Sequence, residues 1–141
     1  MKKQARLGGE DANSLGIGEG IFEEVEIARK EKADVAFNGR LLGMVDSRDY
    51  TRPHEAKRDR WTRFEVWETE DGNWVIANIG CSDRAGEIDV GDTITITPTS
   101  DDATFPAEQW AVNRAMAFFG WTWLAKNLAE KMGWNVLERI A

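Results

Sequence analysis

The chain has 141 residues and carries 18 basic against 25 acidic side chains, a net charge of −7. This length suits one domain with a single core, and the acidic total disfavours direct binding to nucleic acid or anionic lipid. No apolar run approaches the roughly 20 residues that span a bilayer, and no secretory signal opens the chain, so we expect a cytoplasmic protein with no membrane contact. A single cysteine, Cys81, and a single histidine, His54, argue against a disulfide framework or a zinc cluster, so neither a metal nor another cofactor is predicted.

Residues 21–32 have an apolar pattern that fits two kinds of element. Ile21, Val25 and Ala28 have helical spacing, whereas Ile21, Val25 and Ile27 fall on alternate positions of a strand. The acidic residues of this stretch precede its basic residues, an order that complements a helix dipole. The charge order therefore favours a helix.

Asn38-Gly39 stands between two β-prone runs. Asn-Gly supplies the two positive φ angles of a type I′ turn, so residues 34–45 are predicted to form a hairpin. Residues 46–60 contain Pro53 and many charged residues without an apolar period. They are predicted to form a long surface loop.

The strongest local signal is a second two-residue turn, Asp71-Gly72, between two long β-prone arms. A type I′ turn there would pair Glu68 with Val75. Alternation then predicts a core face and a mixed aromatic face. The predicted core face carries Phe64, Val66, Val75, Ala77 and Ile79, and the mixed face carries Trp61, Trp67, Trp74 and Ile76 among polar residues. The mixed face is either partly covered or a binding surface.

The rest of the chain predicts one more strand and two helices. Threonine and isoleucine alternate over residues 93–97, as in a half-buried strand. Thr104 is a predicted cap for a helix whose apolar stripe stops before Gly120, and a second helix is predicted to end at Gly133. The segment 134–140 is either a short strand or a docked extended segment.

Together these elements predict an α+β domain at residues 21–141. An antiparallel sheet of about four to five hairpin-connected strands is expected to be packed on one face by two C-terminal helices. Residues 1–20 contain five glycines and no apolar period, which predicts a flexible tail.

No catalytic motif is evident, so the chain is not expected to be an enzyme. Cys81 and His54 could form a nucleophile pair, but a small buried cysteine is the commoner interpretation. Glu65 lies on the mixed face, where apolar neighbours could raise its pKa, and a glutamate that is either solvated or paired with Arg63 is the simpler alternative. An alternative function is a small-molecule-binding protein or small enzyme with a pocket lined by Trp110, Trp121, Trp123 and Trp134, although core packing is favoured for at least two of these.

Charge is distributed unevenly along the chain. Residues 64–108 hold one basic group against 11 acidic groups, a net of −10. This segment is predicted to attract a basic protein partner, and spaced carboxylates can imitate a phosphate backbone. Trp67 and Trp74 are the expected exposed anchors. The predicted binding residues are Glu65, Trp67, Glu68, Asp71, Trp74, Asp83, Glu87 and Asp89.

A second alternative is a single-stranded nucleic-acid binder that uses the basic loop 48–63. Tyr50 and Trp61 would stack on bases there, while the arginines and lysines contact phosphates. The neighbouring acidic segment and the acidic total disfavour this alternative.

In size, acidity and lack of a catalytic motif, the chain resembles small proteins carried by phages and plasmids that block host-defence complexes, including anti-restriction and anti-CRISPR inhibitors. The resemblance is one of composition and involves no motif. It implies an inhibitor or accessory protein of a nucleic-acid-binding complex. A sheet whose second face no helix covers also leaves a homodimer open.

Overall fold

The structure, a computed structural model, describes residues 20–50, 59–98, 109–137 and 140. One antiparallel sheet has the strand order β1-β2-β3-β4-β5, which confirms the predicted α+β class. The predicted tail, apart from residue 20, and the predicted cap Thr104 lie outside the described residues. The strands are β1 (Glu23–Ile27), β2 (Val35–Asp46), β3 (Arg60–Thr69), β4 (Trp74–Ser82) and β5 (Val90–Ile96); a 3-10 helix spans Ser47–Tyr50, and the helices are α1 (Gln109–Phe119) and α2 (Trp123–Met132).

The sheet curls until its two outermost strands meet at one point. Arg29, just after β1, forms a parallel bridge with Gly91 of β5, and the Gly91 N–H donates to the Ala28 carbonyl at 2.8 Å. The concave side encloses an apolar cluster, the inner cluster, made of Val25, Ile27, Trp67, Val75, Ala77, Ile79 and Cys81. Both faces of the sheet are therefore covered, one by the curl and the other by helices.

The helices pack on the outer face of the sheet. Phe64 of β3 stacks on Phe119 of α1 with 4.4 Å between ring centroids, and Trp74 of β4 stacks on Trp134 at 5.5 Å. The segment after α2 is thus docked through Trp134, and its described part forms no strand. The strands supply Val45, Phe64, Val66, Trp74, Ile76 and Ile96 to this outer cluster.

The predicted C-terminal ends of both helices are confirmed. α1 stops before Gly120, and α2 begins after the cap Thr122 and ends at Gly133, whose φ of 70° is left-handed. A Cβ atom at Gly43 of β2 would overlap the Met132 sulfur, so this glycine lets the end of α2 approach the sheet.

Residues 21–32 do not form the helix that their charge order favours. They contain β1, in which Val25 and Ile27 enter the inner cluster while Glu24 is exposed on the outer side. Burial of each branched aliphatic side chain is worth about 1.5–3 kcal/mol, whereas a charge at a helix end is worth about 0.3–1 kcal/mol. The alternating pattern therefore outweighs the charge order.

The hairpin predicted for residues 34–45 is also wrong, because β2 runs straight through Asn38-Gly39. Gly39 pairs with Glu23 of β1 on one side and with Thr69 of β3 on the other. It does not have the positive φ that a type I′ turn requires. Strand partners on both sides outweigh the local turn preference.

The second hairpin is confirmed, but its register is one residue away from the prediction. The Thr69 N–H donates to the Asn73 carbonyl at 2.8 Å, which makes a longer loop in which Gly72 has a positive φ of 84°. Glu68 therefore pairs with Trp74. A shift of one residue moves every β4 side chain to the opposite face. Trp74 and Ile76 consequently join Phe64 and Val66 under the helices, and Val75, Ala77 and Ile79 face inward with Trp67.

Candidate functional site

The predicted binding residues do not form one surface. Glu68 and Asp71 lie at the tip of the β3–β4 hairpin, whereas Asp83, Glu87 and Asp89 follow the far end of β4. At about 3.3 Å per residue, the length of β4 separates these two groups by roughly 26 Å. Each end therefore has to be considered by itself.

The two expected aromatic anchors are buried. Trp67 is 1% exposed within the inner cluster and meets Phe37 edge-on at 5.9 Å. Trp74 is 3% exposed beneath Trp134. The prediction of exposed anchors is therefore wrong for both residues, because the curl covers one and the C-terminal segment covers the other.

Glu65 is fully buried inside the curled sheet and paired with Arg63, as in the simpler alternative. Its Oε2 accepts from Arg63 Nε at 2.8 Å, and its Oε1 accepts from Trp67 Nε1 at 2.9 Å. Burial by itself lowers the pKa of Arg63, but Glu65 and the other nearby acidic groups together raise it above the ordinary value. Glu65 is thus a structural group with no exposed atom to offer a partner.

Cys81 is also an interior residue, only 2% exposed. Burial is the main cause that raises the pKa of its thiol to about 12. A neutral thiol is a poor nucleophile. The other half of the candidate pair, His54, lies outside the described residues.

At the far end of β4, arginines neutralise the acidic side chains. Arg60 Nη2 lies 2.5 Å from Glu87 Oε2, and Arg84 Nε lies 2.7 Å from Asp59 Oδ2. Hydrogen bonds from Arg60 and from the Ser82 hydroxyl lower the pKa of Glu87 to about 2. Weaker ion pairs join Arg48 to Asp83 and Arg63 to Asp89, each at 3.9 Å. The acidic field expected at this end is therefore largely cancelled, and no group of three or more acidic, His or Cys side chains in the described part of the chain is placed to hold a metal ion.

The arginines of the basic loop that the structure describes are already held in these ion pairs with acidic side chains. The Arg48 guanidinium lies 3.9 Å over the centre of the Trp61 ring, and Trp61 Nε1 donates to Asp46 Oδ2 at 3.0 Å. One face of this indole is thus already covered. The predicted stacking partner Tyr50 meets Trp123 edge-on at 5.2 Å. Residues 51–58, which hold the other basic side chains of the loop, lie outside the described residues.

An acidic surface remains at the hairpin tip. Glu24 of β1 pairs with Asn38 of β2, and Asn38 Nδ2 donates to Glu70 Oε1 at 3.3 Å. Glu24, Asn38 and Glu70 therefore form an exposed row across the sheet, with the exposed Asp71 beside it. We call Glu24, Glu68, Glu70 and Asp71 the acidic tip.

The helices leave this part of the outer face uncovered. α2 packs over β2 beyond the bulge at Leu42, next to Gly43. Before the bulge, Arg40 pairs with Glu68 at 2.6 Å and lies 5.0 Å over the Phe22 ring. Sequence reasoning missed Glu24 because it favoured a helix there, although the alternation of apolar residues was the signal for the correct face.

Three of the four C-terminal tryptophans are exposed, contrary to the expectation that at least two are core. Trp110, Trp121 and Trp123 are 43%, 46% and 55% exposed, and only Trp134 is buried. A surface cavity of about 420 Å³ is bounded by Gln109, Asn113, Trp121, Asn135, Val136 and Leu137. One indole among amide side chains is not the aromatic pocket predicted from the four tryptophans.

The exposed Trp110 lies at the start of α1, which is tied to the C-terminal segment. Its neighbour Gln109 donates to the backbone carbonyl just after Trp134, at 2.9 Å. Trp134 in turn stacks on Trp74, the cross-strand partner of Glu68. These contacts tie the start of α1 to the C-terminal segment, which packs on the β4 residue next to the hairpin loop.

Neither helix in the described parts of the chain has the length and apolar character needed to cross a bilayer. Comparison of the chain with protein-family models, with curated proteins and with solved structures found no match.

Proposed function

We propose that this protein is a non-catalytic domain that binds a basic protein partner through the acidic tip and Trp110. The observation that carries this proposal is the exposed row of Glu24, Asn38 and Glu70 on a part of the sheet that neither α1 nor α2 covers. Acidic side chains that lie close together on one surface make the local electrostatic potential more negative and attract a positively charged partner.

The distribution of charge over the fold supports this orientation. Residues 20–50 and 59–98, which form the sheet and its connections, hold 16 acidic and 8 basic side chains, whereas residues 109–137 hold 1 acidic and 3 basic side chains. A basic partner is therefore attracted more strongly to the sheet than to the helices.

Trp110 supplies the apolar contact that charge alone lacks. Tryptophan is enriched at interface centres, where its burial accounts for much of the binding energy. Trp110 lies opposite the buried side of α1 and is 43% exposed, so its indole is open to a partner.

The most specific form of the proposal is an inhibitor of a nucleic-acid-binding complex. Carboxylates on a rigid sheet can occupy cationic positions of the partner that otherwise contact phosphate groups. The arginines of the basic loop that are described are held by acidic residues, so the single-stranded nucleic-acid alternative receives less support.

The first test measures where on the surface a basic probe binds. A fluorescent arginine-rich peptide is titrated with the wild type, with a tip variant (Glu24→Lys, Glu70→Lys and Asp71→Lys) and with a control of equal charge change (Asp49→Lys, Asp92→Lys and Glu130→Lys). We expect the tip variant to lose at least about tenfold in affinity, and the control to stay near the wild type. Equal losses in both variants would show that only net charge matters and would refute the proposed surface.

The second test concerns the natural partner and the sign of its charge. A partner from the native host should be retained by the wild type and by Trp123→Ala, lost by Trp110→Ala, and released by added DNA. Direct binding of a labelled oligonucleotide, weakening steeply with salt, would instead support the nucleic-acid alternative and contradict the proposal.

A further inference from the structure

The outer edge of β5 presents backbone groups that point away from the sheet. The Gly91 N–H donates to the Ala28 carbonyl across the seam, the line along which the end of β1 meets β5. The polar backbone groups of Gly91 therefore point away from β4. Because the backbone groups of a strand alternate from side to side, those of Thr93, Thr95 and Thr97 point the same way.

The seam between β1 and β5 opens beyond Gly91. The Thr93 N–H is held by the adjacent Asp92 Oδ1 at 3.0 Å, which agrees with its outward direction. The outward backbone groups of Thr95 and Thr97 have no hydrogen-bond partner in the described part of the chain, and both residues are exposed.

This edge lacks the devices with which proteins usually protect a free strand. Charged side chains, prolines and bulges commonly block edge pairing. Residues 93–97 contain none of these, and the one charge just before them, on Asp92, faces Lys32 at 3.8 Å. The β1 edge, by contrast, carries glutamates and meets β5 at its end.

We propose that β5 pairs antiparallel with β5 of a second copy of this chain, about a two-fold axis through Thr95. A two-fold interface must be complementary to itself, and this strand satisfies that condition. Thr95 faces Thr95 of the second copy, and Thr93 faces Thr97. The backbone groups that point outward from one copy therefore lie opposite those that point outward from the other. Threonine pairs across strands are favourable, and Asp92 faces Pro98 rather than a like charge. The interface uses no residue of the acidic tip, so its failure would leave the proposed function intact.

The oligomeric state tests the interface. Light scattering across a concentration series is expected to give twice the chain mass of 15.9 kDa for the wild type. Thr95→Arg and Thr95→Glu each place two like charges on the axis, so each variant alone is expected to be a folded monomer. An equimolar mixture of the two variants is expected to regain the doubled mass, because opposite charges then meet.

Asn113→Arg adds the same charge at an exposed position of α1 and should leave the doubled mass unchanged. Circular dichroism checks that every variant is folded. A wild type that stays at the monomer mass throughout the series, a Thr95→Arg variant that keeps the doubled mass, or a mixture that stays monomeric would overturn the proposal.

Discussion

Arg63 and Glu65 lie two residues apart on β3, with Arg63 Nε 2.8 Å from Glu65 Oε2, and both side chains are buried inside the curled sheet. Residues two apart on a strand share a face, so Trp67 is next in the same line and donates to the same carboxylate. A charged pair can be buried on the concave face because each side chain neutralises the charge of the other and hydrogen-bonds with it.

Replacement of Glu65 by leucine should therefore be costly. Glu65→Leu leaves the buried Trp67 N–H without an acceptor and the Arg63 charge with only the weak pair to Asp89 at 3.9 Å. We expect a loss of about 3–5 kcal/mol in the free energy of unfolding, measured by urea denaturation. The double variant Arg63→Leu with Glu65→Leu should recover most of this loss. A single variant within about 1 kcal/mol of the wild type would contradict the description of the pair.

Cys81 should be unreactive while the protein is folded. Burial raises the pKa of its thiol from 9.0 to about 12, so that little thiolate exists near neutral pH. We expect labelling by a thiol reagent at pH 8 to be far slower in the native protein than in urea. Because the pKa of Cys81 is higher in the folded than in the unfolded state, the contribution of its protonated thiol to the free energy of unfolding is complete below pH 9.0. This contribution declines as the pH rises towards about 12. Labelling at equal rates in the native protein and in urea would refute the prediction that the folded protein protects this thiol.

Glu87 should titrate at unusually low pH. Hydrogen bonds from Arg60 and Ser82 lower its pKa from 4.5 to about 2. Its contribution to stability is therefore complete above pH 4.5 and is lost as the pH falls towards about 2. NMR titration of the carboxyl group should show this value in the wild type and a return towards 4.5 in Arg60→Gln. Arg40→Gln, at the other end of the sheet, is the control and should leave the Glu87 titration unchanged.

The loop of the second hairpin should respond differently to substitution at Asp71 and at Gly72. Gly72 has a positive φ and Asp71 does not. Gly72→Ala should therefore lower the stability by about 1 kcal/mol in thermal unfolding, while Asp71→Ala stays nearly neutral. In a type I′ turn both residues need a positive φ, so a stabilising Asp71→Gly substitution would favour that geometry over the observed one.

The prediction of elements succeeded where one local pattern decided the outcome. Alternation of threonine and isoleucine placed β5, and Gly133 marked the end of α2. Local patterns failed where two patterns competed for the same residues. Asn38-Gly39 is a good turn sequence, but strands on both sides bind its backbone and keep it extended.

The candidate site was harder to predict than the fold, because the register of strand pairing decides on which face of the sheet each side chain lies. One hydrogen bond, from the Thr69 N–H to the Asn73 carbonyl, shifts β4 by one residue and moves Trp74 from an expected anchor into the core. The alternation within each strand was correct, and only the pairing between the strands was wrong.

The amino-acid sequence by itself determined the class of fold, the β3–β4 hairpin, the two helices and the concentration of acidic residues in the middle of the chain. Only the tertiary structure decided which of those acids, among the residues that it describes, stay exposed without an arginine partner there. Arg48 and Arg60 lie before the acidic segment in the chain but reach Asp83 and Glu87 once β3 and β4 pair, while Glu70 and Asp71 face solvent at the tip. The reason is physical: charges interact through distances in space, and strand pairing brings together residues that are far apart in the sequence.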